Sequence, residues 1–181
     1  MKTALLVIDM QMEMTHRTLS GRDRVNPEAE ALVADLLSLF RERGLPVIHV
    51  HHNEPGSRVA FGRPGGEVMP CALPAEGETV LVKSASSAFT GTGLDQHLRA
   101  HGIDRLVIIG AVAAFCVTST VRWASDLGYA VILPGDALIG FDIARADGSR
   151  IPAETVLDVT LSLLGSDFAR VLPAAKVATA L

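Results

Sequence analysis

DRLVIIGAVAAFCVTSTVRWASDLGYAVILPGDA, residues 104–137, holds two apolar runs separated by a segment of helical length. The runs 104–111 and 129–137 are continuous rather than alternating, the mark of strands buried on both faces. Between them Val117, Val121, Ala124 and Gly128 recur at helical spacing, and Gly128 is a natural stop. Val117, Thr118, Thr120 and Val121 are β-branched and would equally suit a strand. The spacing decides for a helix that begins near Ala114 or Phe115. Strand, helix, strand makes a βαβ unit, which implies a parallel sheet.

The same alternation extends in both directions. TALLVID (3–9), PVIHVHH (46–52), ETVLVKS (78–84) and FARVLP (168–173) read as further strands, giving six. NPEAEALVADLLSLFRERG (26–44) reads as a helix, with Asn26 as N-cap, Pro27 at the first helical position and Gly44 as the stop. Its Leu32, Leu36, Leu39 and Phe40 recur at helical spacing. GLDQHLRAHG (93–102) and IPAETVLDVTLSLLG (151–165) read as two more helices. The expectation is one α/β domain over 1–181, a three-layer sandwich with a six-stranded, mostly parallel sheet between helices. Residues 53–78 are rich in Gly and Pro without periodicity, and so long a loop in a compact domain points to function.

Composition narrows the partners. Of the 181 residues 49% are hydrophobic, yet no apolar stretch reaches membrane-span length. The initial apolar run stops at Asp9, too soon for a signal-peptide core, and two cysteines without framework spacing fit a reducing compartment. A cytoplasmic protein is expected. With a net charge of -4, no basic block and 4% aromatic residues, nucleic acid is not the partner. A small metabolite is.

In an open parallel sheet, ligands bind beyond the carboxyl ends of the strands. Asp9 ends the first strand, Lys83 ends the third, and Cys116 follows the fourth at a helix start. Singly, each has an ordinary reading: a turn acid, a strand emerging into water, a buried small hydrophobe. Together they form the set that covalent acyl transfer needs. A helix N-terminus and an ammonium are expected to lower the thiol pKa, and an ionised Asp9 to raise it, so thiol and acid titrate as a coupled pair. The carboxylate can take the thiol proton and later give it to a leaving amine.

LLVIDMQ (5–11), VLVKSASSAFTGTGL (80–94) and IIGAVAAFCVTSTVRWASDLGY (108–129) together resemble the three signature blocks of the isochorismatase-like cysteine hydrolases. The family includes nicotinamidases and N-carbamoylsarcosine amidohydrolases, and the resemblance spans about residues 3 to 173. It implies Asp9 as general base, Lys83 as the cation beside the thiolate and Cys116 as nucleophile. It also implies a cis peptide between Ala111 and Val112, with the backbone N–H groups of Val112 and Cys116 as oxyanion donors. Gln11, Ser87, Phe89 and Thr92 match block positions as supports or pocket walls. Phe61, from the long loop, is a further candidate apolar wall beside Phe89. A homodimer or larger homo-oligomer, without cofactor, is implied.

One departure stands out: Ala113 and Ala114 replace the threonine and polar residue that relatives usually carry there. Cleavage of a small amide, ureide or carbamoyl compound through a thioester is the leading expectation. Vinyl-ether hydrolysis of the isochorismatase type and a non-catalytic thiol sensor are the alternatives. His49 and His51 share one strand face and His52 points to the other. HHNEPG does not reproduce the Asp-x-His metal motif of nicotinamidases, so the trio reads as a polar strand end and no metal is expected. Cys71 reads as an unactivated loop residue.

Overall fold

The computed structural model describes residues 1–181. Six strands build the sheet: β1 (Thr3–Ile8), β2 (Val47–His52), β3 (Thr79–Lys83), β4 (Arg105–Ala111), β5 (Ala130–Pro134) and β6 (Arg170–Leu172). They lie in the order β6-β5-β4-β1-β2-β3, every pair parallel. Chain order therefore reverses between β1 and β4, the switch point where open α/β sheets bind ligands. Parallel registry pairs Ile8 with both Val50 and Gly110, and His52 with Lys83. The carboxyl ends of four neighbouring strands thus share one rim.

Continuous apolar runs work here because each strand feeds two cores. Leu5 and Val7 of β1 face one core, and Ala4, Leu6 and Ile8 face the other. Helix α1 (Glu13–Leu19) follows β1 directly, a segment without a strong sequence signal. Helix α2 (Ala29–Glu42) closes the first core with Val33, Leu36, Leu37 and Phe40. Leu32 and Leu39, which recur at the same helical spacing, are only partly buried and pack against this core. Helices α3 (Leu94–Ala100), α4 (Thr118–Asp126) and α5 (Ala153–Asp167) cover the second core. Full burial of a Leu, Ile or Phe contributes about 1.5–3 kcal/mol, so these two layers carry most of the stability.

Three local expectations change. Asn26 is not the cap of α2: it lies in the left-handed region at φ +52°, and its amide donates to the carbonyls of Gly135 (2.9 Å) and Leu138 (2.8 Å). Pro27 accordingly precedes the helix, which starts at Ala29. The second change is a strand, Leu138–Phe141, beyond the turn at Gly135–Ala137. It pairs in parallel with the last residues of β4 and antiparallel with Arg24–Val25, so the sheet gains two short members beside the site. The third concerns the helix after β4. It opens with a wide π turn over Ala113–Val117, and regular α geometry begins only at Thr118. Val117 N–H reaches back to the Val112 carbonyl (3.4 Å), and the Thr118 hydroxyl donates to the Ala113 carbonyl (2.7 Å). Single π turns of this kind concentrate at functional sites.

Candidate active site

Strand order dictates what meets at the rim. Lys83 ends β3, His52 ends β2, Asp9 follows β1 and Cys116 sits in the π turn after β4, so the four stand in line across the switch point. Asp9 takes φ +49°, a left-handed conformation that a short polar side chain tolerates. Gly110 allows the close approach behind it. Its φ is +115°, and a Cβ there would meet the Ile8 carbonyl oxygen at 2.1 Å.

The centre of the cluster is Lys83 Nζ. It lies 2.7 Å from Asp9 Oδ2, 2.9 Å from His52 Nδ1 and 3.3 Å from Cys116 Sγ, with Lys83 itself only 2% exposed. An ammonium has three N–H bonds and no lone pair, so all three neighbours are acceptors. His52 therefore carries its ring proton on Nε2. Asp9 is buried, and its Oδ1 has no hydrogen-bond partner. A carboxylate oxygen of Asp9 lies within 4.8 Å of Cys116 Sγ.

Burial governs the protonation of the set. It pushes the Asp9 carboxyl above its ordinary range, against the pull of Lys83. Burial and then the neighbouring Asp9 push the Cys116 thiol up to about 11, against Lys83. His52 is lowered, by burial first and then by Lys83. Of the opposing effects expected at Cys116, the raising influence of Asp9 joins desolvation, and together they outweigh one ammonium. At neutral pH the thiol is therefore neutral, with Asp9 and Lys83 in contact beside it. Cys71, half-buried, is also raised by burial, and then by Glu30.

Asp9, His52 and Cys116 each offer a metal-ligating atom, and the three atoms lie within 4.8 Å of one another. Lys83 Nζ touches all three, so the position a cation would take is filled by the protein's own ammonium. The donor set does not fit a resident metal ion.

The cleft over the thiol encloses about 410 Å³ and is lined by Asp9, Gln11, His52, Ser86, Val112 and Cys116 among others. Gln11 also ties the rim together: its amide donates to the carbonyls of His52 (2.9 Å) and Gly66 (3.0 Å), and its oxygen accepts from His52 N–H (2.8 Å). The Ala111–Val112 peptide is cis, and Val112 N–H has no acceptor within the protein. Two expected walls are elsewhere. Phe61 is half-exposed and outside the cleft, while Phe89 is buried in the second core, stacked on Tyr129. Ser87 and Thr92 are structural: their hydroxyls accept from the N–H groups of Phe89 and Leu94. His49 is fully buried against Glu78, inside the sheet layer. His52, read as part of a polar strand end, is in the site. Its signal was topological, since a residue ending the strand between those of Asp9 and Lys83 must stand between them.

Residues 3–149 match the Isochorismatase domain profile. The chain belongs to the isochorismatase family. Among isochorismatase relatives, an uncharacterised family protein of Bacillus subtilis, YddQ, is 36% identical over 94% of this chain and 96% of its own. A ureidoacrylate amidohydrolase of Variovorax paradoxus is 32% identical, over 60% of this chain and 52% of its own. Among solved isochorismatase-family structures, a hydrolase from Chromobacterium violaceum superposes with a TM-score of 0.92 at 40% identity, covering 99% of this chain and 93% of that one. The mostly parallel sheet between helices is the isochorismatase fold, and the protein is a hydrolase.

Proposed function

We propose that this isochorismatase-family hydrolase cleaves a C–N bond of a small amide, ureide or carbamoyl compound through a thioester on Cys116. The observation that carries the reading is the buried Asp9 carboxylate, with an oxygen within 4.8 Å of a thiol whose sulfur also meets Lys83 Nζ at 3.3 Å. A neutral thiol raised to about 11 cannot wait as a thiolate at neutral pH. It must lose its proton as it attacks, and Asp9 is the acceptor within reach.

The steps balance without a further reagent. The substrate carbonyl enters the cleft, Sγ attacks its carbon, and the thiol proton passes to Asp9. The oxyanion points to the N–H groups of Val112 and Cys116. Asp9 returns the proton to the leaving nitrogen, the C–N bond breaks and the amine departs. Water then attacks the thioester, Asp9 takes one of its protons, and the acid leaves as that proton returns to sulfur. Lys83 stays within reach of the negative charge wherever it resides, on Asp9 or on sulfur, so the charge moves without leaving its counterion.

A panel of small primary amides, ureides and carbamoyl amino acids, assayed for released ammonia, tests the reading. At least one is expected to turn over in native protein and none in Cys116→Ser. Turnover retained in Cys116→Ser, or failure of the whole panel alongside cleavage of an enol ether, would overturn it.

A further inference from the structure

A second cleft, of about 550 Å³, opens beside the first, and Arg17, Val112 and Phe115 line both. Its charges are unevenly matched. Glu13, only 3% exposed, bonds Arg17 (Nε–Oε1 3.1 Å) and is also the acid nearest Arg58, whose Nη1 lies 4.0 Å away. Asp142, also buried, is shared by Arg22 (Nε–Oδ1 2.7 Å) and Arg150. Two carboxylates thus serve four guanidiniums. The Asp9–Lys83 pair is neutral, and Glu54, at 3.8 Å from an uncharged His52, offsets one of the two surplus charges from the far side of the first cleft.

The guanidiniums are also under-used as donors. Arg17 commits Nε to Glu13, which leaves its two terminal nitrogens for the shared wall of the clefts. Arg58 is 86% exposed along its side chain, and its guanidinium approaches no acid more closely than Glu13. A planar fork of this kind fits a carboxylate. We propose that the substrate carries a carboxylate on its non-scissile end, bound by Arg17 and Arg58 in the second cleft while its carbonyl faces Cys116. This rests on Cys116 being the attacking group, and it selects, within the small amides, those derived from dicarboxylic or amino acids. A neutral amide leaves the surplus charge unanswered.

Alkylation of Cys116 by iodoacetate and by iodoacetamide tests this without needing hydrolysis, because the two reagents differ chiefly in one carboxylate. Rates are read by peptide mass mapping, and their ratio is compared with that for 2-mercaptoethanol in the same buffer. One to two surplus charges at roughly 8 Å through a water-like dielectric raise the normalised ratio by about threefold at low salt, an advantage that fades in high salt. Arg58→Gln, at an exposed position, should lower the ratio, whereas Glu13→Gln, which keeps a hydrogen-bonding partner for Arg17, should raise it. Opposite shifts from two neighbouring substitutions are not what general damage produces. A native ratio equal to that of the free thiol, insensitive to salt and to both substitutions, would overturn the proposal. Because alkylation requires no C–N cleavage, that result stands apart from failure of the thioester mechanism itself.

Discussion

Replacing Lys83 by methionine keeps the volume of a side chain that is 2% exposed and removes the charge that Asp9 meets at 2.7 Å. At an effective dielectric of about 20, unit charges at that separation attract by about 6 kcal/mol. Each tenfold change in an equilibrium costs about 1.4 kcal/mol, and water entering the vacated space recovers roughly half, so the ionised form of Asp9 falls by roughly two to four powers of ten. Burial already raises the Asp9 carboxyl, and loss of the ammonium moves it further in the same direction. At neutral pH the variant then presents a protonated acid, which accepts no proton from the thiol. The expected result is a loss of about 1000-fold in kcat/KM at pH 7, with partial recovery as the pH rises and Asp9 ionises. Ammonia release across the neutral and alkaline range measures it, with circular dichroism to establish folding. A folded Lys83→Met protein within tenfold of native activity, or one depressed equally at every pH, would refute the reasoning.

Asp9→Asn keeps the shape but removes the acceptor, and turnover should fall by about 100-fold or more in a folded variant; near-native rates would remove Asp9 from the mechanism. Prolonged chelator treatment should leave the rate unchanged, because Lys83 occupies the space among Asp9, His52 and Cys116; activity lost to the chelator and restored by zinc would contradict this. Below the raised Asp9 value the base is protonated, so kcat/KM should fall on the acid side of an inflection lying above the ordinary aspartate range, and a flat acid limb would count against the assignment. Gly110→Ala would place a Cβ 2.1 Å from the Ile8 carbonyl oxygen at φ +115°, and thermal unfolding should show a loss of about 3 kcal/mol or more.

The sheet was legible because its signal is local. Runs such as ALLVI (4–8) are apolar at every position, which only a strand with a core on each face requires, and that prediction matches the burial of β1 throughout. Asp9, Lys83 and Cys116 were legible as residues at strand ends, and the sheet brings both Asp9 and Cys116 into contact with Lys83. His52 was not, since its place depends on β2 lying between β1 and β3, which strand order fixes and local pattern does not. Phe61 and Phe89 were misplaced for a similar reason: an apolar side chain in a loop or after a strand has no periodicity to say which surface it meets. Asn26 looked like a cap because caps and left-handed turn residues draw on the same amino acids. The state of the thiol was also out of reach of sequence. A cation and a helix start argue for a lowered value, but desolvation, known only from the packed structure, decides the sign.

In the proposed mechanism Cys116 becomes acylated with Asp9 carrying its proton. Mixing the native protein with a substrate that releases ammonia, quenching in acid within the first turnovers and weighing the intact chain tests it most directly. An added mass equal to the acyl group is expected, located on the peptide containing Cys116, removed by hydroxylamine as the hydroxamate and much slower to form in Asp9→Asn. Turnover with no adduct on Cys116 under any quench time, or an adduct that forms equally fast in Asp9→Asn, would contradict it.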